Sequence, residues 1–252
     1  MKKEIGVLML CGALLLSGCG SEDLPPGIYT QGTEEVIHDQ VITQPEQETN
    51  GNITWASENN EVKVTPVKVA EYWYKGVTVE VNNVKKEFDW EFSSMDDPRV
   101  FYTDVTGDGK EEAVIILNKG KGTGLSIDEL HVLNSEDLSE IKVRNFEDIV
   151  ADQIETHVAK NDDDTLAIKV KTQGKEHDFI FDYDPSPNYN QDELAFGGVV
   201  YYELENQKII SRIGASVGIS PTYVCDFHII YKFDNEKNEF IVDQIEFVPN
   251  DK

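Results

Sequence analysis

The sequence predicts a mainly β fold, built of antiparallel sheets with one short helix and carried behind a leader and a polar tether. Three observations predict it. Stretches rich in Val, Ile, Phe and Tyr alternate with polar residues at a period of two, the signature of half-buried strands. A single segment shows helical spacing instead. Residues 1–63 differ in composition from everything that follows.

Lys2 and Lys3 form a small basic head, and residues 5–16 are apolar or small without interruption. Such a run of about a dozen residues is too short to span ~30 Å of hydrocarbon as a helix, but it suits the apolar region of a signal peptide. Leu16-Ser17-Gly18-Cys19 follows and resembles the lipobox of bacterial lipoproteins. The resemblance implies cleavage before Cys19, a lipid such as palmitate at that residue, and a protein anchored to the outer face of the cell membrane. The alternative is an ordinary leader with an accidental cysteine. Residues 1–18 are thus expected to be a signal peptide, residues 19–63 a disordered acidic tether, and residues 64–252 the β-rich extracytoplasmic domain. The tether contains Pro25-Pro26, Gln44-Pro45-Glu46-Gln47-Glu48 and Asn50-Gly51-Asn52, and it buries too little apolar surface to offset the entropy of ordering.

Within the domain, Val77, Val79 and Val81 fall on one strand face, as do Phe88, Trp90 and Phe92 with charged residues between them. Residues 99–103, 113–117 and 130–133 read as further strands. Residues 166–170 and 179–181 flank a Gln173-Gly174 turn and read as a hairpin. Residues 199–204 and 209–213 pair across Glu205-Asn206-Gln207, and residues 228–233 and 240–247 pair across a polar turn. The exception is the segment after Asn145. There Phe146, Ile149, Val150 and Ile154 recur at helical spacing, Asn145 can cap, and Glu147 and Asp148 favour the positive end of the helix dipole. This helix is expected to end near Thr156. The strand pattern leaves a sandwich and a propeller-like stack both open, and no internal repeat supports the full propeller.

The formal charge of −26 on 252 residues opposes contact with nucleic acid or anionic lipid, and favours cations and basic partners. Of three cysteines, Cys11 leaves with the leader and Cys19 takes lipid, so Cys225 alone remains and no disulfide forms within the domain. The strand around Cys225 makes it a small buried hydrophobe. His228 lies three residues on and points to the opposite face, so the two make no nucleophilic pair.

One stretch carries metal chemistry. Asp104, Thr106 and Asp108 place oxygen donors at alternate positions of a loop between two strands. Gly109 permits a sharp turn, the Lys110 carbonyl can point inward, and Glu112 can close the shell around a calcium ion. A helix-loop-helix calcium site needs a glutamate where Ile115 stands, so that motif is incomplete. The shorter loop between strands resembles the calcium loops of FG-GAP and VCBS repeats, as in integrin propellers, with Thr106 and Glu112 departing from the usual residues. The alternative is an Asp-Gly turn whose carboxylates bond to backbone amides. After the next strand, Gly120, Gly122, Thr123 and Gly124 with two lysines form a weak candidate for binding, as a glycine loop that permits a bulge or a partner contact. Their spacing is not that of a phosphate-binding loop. Together these loops and the β-rich remainder resemble a group of uncharacterised lipoproteins of spore-forming Gram-positive bacteria, which implies a cell-surface location and supplies no catalytic residue.

The five histidines lack zinc-ligand spacing. With 48 acidic residues, carboxylate pairs at glycosidase distance arise by chance. Tyr72-Trp73-Tyr74 and Tyr201-Tyr202 are either core or a platform for stacking sugars. The expectation is therefore a non-catalytic, lipid-anchored binding or structural domain with a calcium-stabilised loop, whose partner is a protein, peptide or cell-wall ligand. An envelope hydrolase acting through acidic residues is the alternative.

Overall fold

The computed structural model describes residues 53–183 and 189–250. The expected signal peptide, Cys19 and the tether up to residue 52 lie outside the described residues. Among the described residues no helix is long and apolar enough to cross a membrane.

The fold is mainly β with one short helix, as the alternation predicts. Strands β1 (Trp55–Ala56), β2 (Val62–Val69), β3 (Trp73–Val81) and β4 (Val84–Ser93) form a four-stranded antiparallel sheet in sequence order. Strands β5 (Arg99–Thr103), β6 (Glu112–Gly122), β7 (Leu125–Asn134) and β8 (Glu140–Val143) come next, followed by the helix α1 (Phe146–Gln153). Strands β9 (Ile154–Lys160), β10 (Leu166–Thr172) and β11 (Lys175–Phe181) make a three-stranded sheet. The chain ends with β12 (Ala195–Glu205), β13 (Lys208–Val217), β14 (Thr222–Asp234) and β15 (Glu239–Pro249). The largest sheet has eight strands in the order β12-β13-β14-β15-β8-β7-β6-β5.

Two short parallel contacts modify this antiparallel plan. β15 meets β8 at Phe240↔Val143, and β12 meets β7 at Val199↔Ser126 and Val200↔Ile127. The second contact joins β12 back to β7, closing six strands into a ring and leaving β6 and β5 as a flap beyond it.

Within the flap β6 is buried on both sides, which explains why residues 113–117 are apolar at every position rather than at alternate ones. Ala113, Ile115 and Leu117 join the core shared with the four-stranded sheet, beside Val77, Val79, Trp90 and Phe92. Val114 and Ile116 join a second core with Ile149 of α1, Val158, Ile168, Phe227 and Ile229. Sheets stacked face to face in this way form a sandwich, not radial blades.

Two boundaries differ from expectation. The fold begins before Val64: Val62 is fully buried opposite Val81, and Trp55 packs edge-on against Tyr74 and Phe92 at ring separations of 5.2 and 5.8 Å. The polar turn of residues 58–61 lies between them and masks the short strand β1. The helix also stops three residues early. Asn145 caps it as expected, accepting the Asp148 N–H at 2.9 Å, but Ile154 is already extended and pairs with Thr172 of β10.

Candidate functional site

The aspartate loop joins β5 to β6, and its carboxylates face its own backbone. Asp104 accepts the N–H of Gly107 at 2.6 Å on one oxygen and of Gly109 at 2.9 Å on the other. Thr106 turns its hydroxyl toward the same carboxylate, at 3.5 Å. Asp108 accepts the Lys110 N–H at 2.8 Å, while the Lys110 ammonium reaches Glu136 at 2.8 Å. Glu112 is buried and accepts the N–H of Val105 at 3.1 Å and of Thr106 at 3.3 Å. Among the described residues, no three acidic, His or Cys side chains are gathered as a metal cluster. Of the residues expected to hold calcium, Asp104, Asp108 and Glu112 accept loop amides and Thr106 faces Asp104, as in an Asx-type turn, while the Lys110 side chain turns away to Glu136.

The carboxylates at the two ends of this loop titrate in opposite directions. Desolvation works against the Asp104 charge, but the amides of Gly107, Gly109 and Asp108 outweigh it and hold its carboxyl below the usual range. For Glu112 desolvation wins: burial pushes its carboxyl up, helped by the charges of Asp108 and Asp104, against the two amide bonds it accepts.

The glycine segment is a hairpin rather than a wide loop. β6 runs on through Gly120 and Gly122, with a bulge between Asn118 and Gly120, and Thr123-Gly124 is a two-residue turn with Gly124 at φ 68°. Pairing across to β7 places these amides in a ladder, not around an anion. The turn is tied down from outside, because the Tyr223 hydroxyl donates to the Gly124 carbonyl at 2.7 Å. The Tyr223 ring in turn lies against Gly198 and Gly214.

A polar cleft of about 310 Å³ opens where the flap meets β12, lined by Asp96, Asp97, Arg99, Ile116, Asn118, Asp128 and Tyr201. Strand register builds it. Arg99 and Phe101 of β5, Ile116 and Asn118 of β6, and Asp128, Leu130 and Val132 of β7 share one sheet face, so the apolar core of that face ends in a polar cluster. Asp128 is buried and accepts the Arg99 guanidinium, the Asn118 amide at 3.3 Å and the Tyr202 N–H at 3.3 Å. Arg99 also donates to the Tyr202 carbonyl at 2.8 Å, so side chains from the flap cap the backbone of β12 at this point. Asp96 is held by the Lys121 ammonium at 2.9 Å, and Asp97 accepts the Trp55 indole N–H at 3.0 Å. Asn118 is only 4% exposed, and its carbonyl oxygen has no partner among the described residues. Buried polar atoms in folded proteins are almost always bonded, so such an orphan marks a place for a further donor.

Alongside runs a groove of about 450 Å³. Its lining comes from Val100, Phe101, Tyr102 and Thr103 of β5, from Ser57, Glu58 and Asn59 after β1, and from Leu204 and Gln207 at the β12–β13 turn. Neither hollow was among the residues singled out from the sequence, although Tyr201 was. The available signal is Asp128, an acid placed in register with the apolar Leu130 and Val132. The other aromatic candidates divide: Tyr202 is buried and Tyr74 packs on the smaller core, whereas Tyr72, Trp73 and Tyr201 are exposed. Cys225 lies fully buried, and desolvation pushes its thiol up to about 12, which leaves no thiolate for chemistry near neutrality.

The chain matches no known family model, no curated protein and no solved structure.

Proposed function

We propose that this protein is a lipid-anchored extracytoplasmic lipoprotein whose β domain is a non-catalytic binding module for a peptide, protein or cell-wall ligand. The observation that supports the binding role is the state of the cleft carboxylates. Asp96 is spent on Lys121 and Asp128 on Arg99, Asn118 and a backbone amide, while Asp97 holds the Trp55 indole on one oxygen and keeps the other open to a ligand. Groups fixed by donors suit recognition; general acid catalysis needs a carboxyl that holds and releases a proton. Support for the anchor is the Leu16-Ser17-Gly18-Cys19 tetrad behind a basic head and a short apolar run. The aspartate loop enters this reading as the brace that holds β5 against β6.

Palmitate labelling of the expressed chain tests the anchor: wild type incorporates label and Cys19→Ser does not. Incubation with purified wall fragments tests the module, with retention and no release of new reducing ends or amines expected. The hydrolase reading draws on the same cleft, which unites three carboxylates with the exposed Tyr201. Turnover of the fragments that is abolished by Asp97→Asn would establish it.

A further inference from the structure

We infer that the open edge of β5 is a docking site for an extended peptide segment bearing a lysine or arginine, which adds as a strand beside residues 99–103 with its basic side chain at Asp97. The inference rests on the reading of the domain as a binding module and names the ligand class.

β5 ends the eight-stranded sheet, and among the described residues it is hydrogen-bonded to no strand but β6. Its outward backbone groups make no hydrogen bond to any other described residue. An edge of this kind is a template for another strand unless charge, proline or a bulge protects it. Two other edges are protected by charge: β4 carries Lys85, Glu87, Asp89 and Glu91, and β11 carries Lys175, Glu176 and Asp178. Between Val100 and Thr103, β5 carries no charge and no proline, and it pairs with β6 without a register shift. The edge forms one side of the 450 Å³ groove rather than projecting from the surface. Across that groove, the β12 backbone at Tyr202 faces outward and is capped by Arg99 and Asp128. Leu204, two residues on, presents its own backbone on the same edge.

Charge selects the occupant. The polar cleft adjoins the groove where Arg99 meets Val100. Within it Lys121 neutralises Asp96 and Arg99 neutralises Asp128. Asp97 is left with one carboxyl oxygen unbonded among the described residues, and it lines the cleft. A single cationic side chain on an extended peptide answers both the carboxylate and the edge. Main-chain pairing then supplies affinity and the cleft supplies selectivity.

The test uses the full-length chain in detergent and a labelled six-residue peptide of alternating valine and threonine with a lysine at one end. Fluorescence polarisation should show binding that weakens with salt. A glutamate-for-lysine peptide should bind at least tenfold more weakly. Asp97→Asn, which keeps an acceptor for Trp55, should cost the lysine peptide about tenfold and the glutamate peptide nothing. Two further probes are N-methylated on alternating residue sets; one set should abolish binding and the other leave it, because only one edge of the peptide pairs. Hydrogen exchange at residues 100–103 should slow when the lysine peptide is bound. Failure of the lysine peptide to bind, equal binding of all probes, or binding of an N-acetylglucosamine oligomer in the peptide's place overturns the inference. Palmitate labelling at Cys19 judges the anchored-module reading separately from any of these results.

Discussion

The imidazole of His131 lies flat on the indole of Trp90, with ring centroids 3.7 Å apart and planes 11° from parallel. Trp90 belongs to β4 and His131 to β7, so this stack joins the four-stranded sheet to the eight-stranded one. Glu140 bonds the imidazole Nδ1 at 2.7 Å, and Glu129 lies 3.5 Å from Nε2. Burial opposes the imidazolium, but the two glutamates outweigh it and raise the His131 pKa above its ordinary 6.5. The nearby His131 imidazole, with help from Lys119, outweighs burial and holds Glu129 down to about 2.

A pH dependence follows. The proton on His131 binds the folded state more tightly than the unfolded one, so its stabilisation is complete below pH 6.5 and is lost as pH rises through the folded value. The Glu129 contribution is present above its ordinary 4.5 and is lost as pH falls toward 2. The cluster therefore contributes most between these limits. Urea unfolding at pH 6 and pH 9 should show a loss of about 1 kcal/mol from the stacked cation at the higher pH. In His131→Gln that difference should disappear. A His131→Gln protein with an unchanged pH difference would assign the dependence to other groups.

Removal of Asp104 should weaken the β5–β6 connection whether or not calcium is present. Its carboxylate accepts two loop amides and a hydroxyl, and Asp104→Ala leaves those donors to water. The melting temperature is expected to fall by roughly 2–4 °C in calcium buffer and equally in a chelator. A fall confined to the calcium buffer would make the loop a cation site. The lowered Asp104 pKa adds that the wild-type advantage is present above pH 3.8 and vanishes as pH falls below it.

Alternation and turn chemistry made most of the fold legible. Residues 99–103 read as a strand ahead of the aspartate loop, and β5 has those bounds. Asn145 announced α1. The sequence hid what depends on partners far away along the chain. Trp55 lies beside an acidic turn, and nothing local says that it packs on Tyr74 and Phe92. The polar cleft assembles from β5, β6, β7 and β12, and the Arg99–Asp128 pair spans strands that become neighbours only through β6. Ring closure through Ser126 and Val199 leaves no local trace either, since two-residue parallel pairing has no period of its own.

Gly214 should tolerate no side chain. A Cβ built there would stand 2.8 Å from Cδ1 of Tyr223 and 3.1 Å from Cβ of Val199, inside van der Waals contact on both sides. Gly214→Ala is expected to cost about 1–3 kcal/mol, as overpacking does elsewhere. The double variant with Tyr223→Ala should recover part of this loss. Additive losses in urea unfolding would show that the ring does not lie across the glycine.

Trp55 carries two separable loads. Its ring packs edge-on against Tyr74 and Phe92, and its indole N–H holds Asp97 at the mouth of the cleft. Trp55→Ala removes both loads, and a partly buried indole against two rings should cost about 2–3 kcal/mol. Trp55→Phe keeps much of the packing and deletes only the donor, so its cost should be nearer 1 kcal/mol, the worth of one hydrogen bond to a charged group at the surface. The difference between the two variants measures how firmly β1 belongs to the domain, because Trp55 is half of that two-residue strand. Equal costs in urea unfolding would mean that the Asp97 bond, not the aromatic contact, fixes the start of the fold.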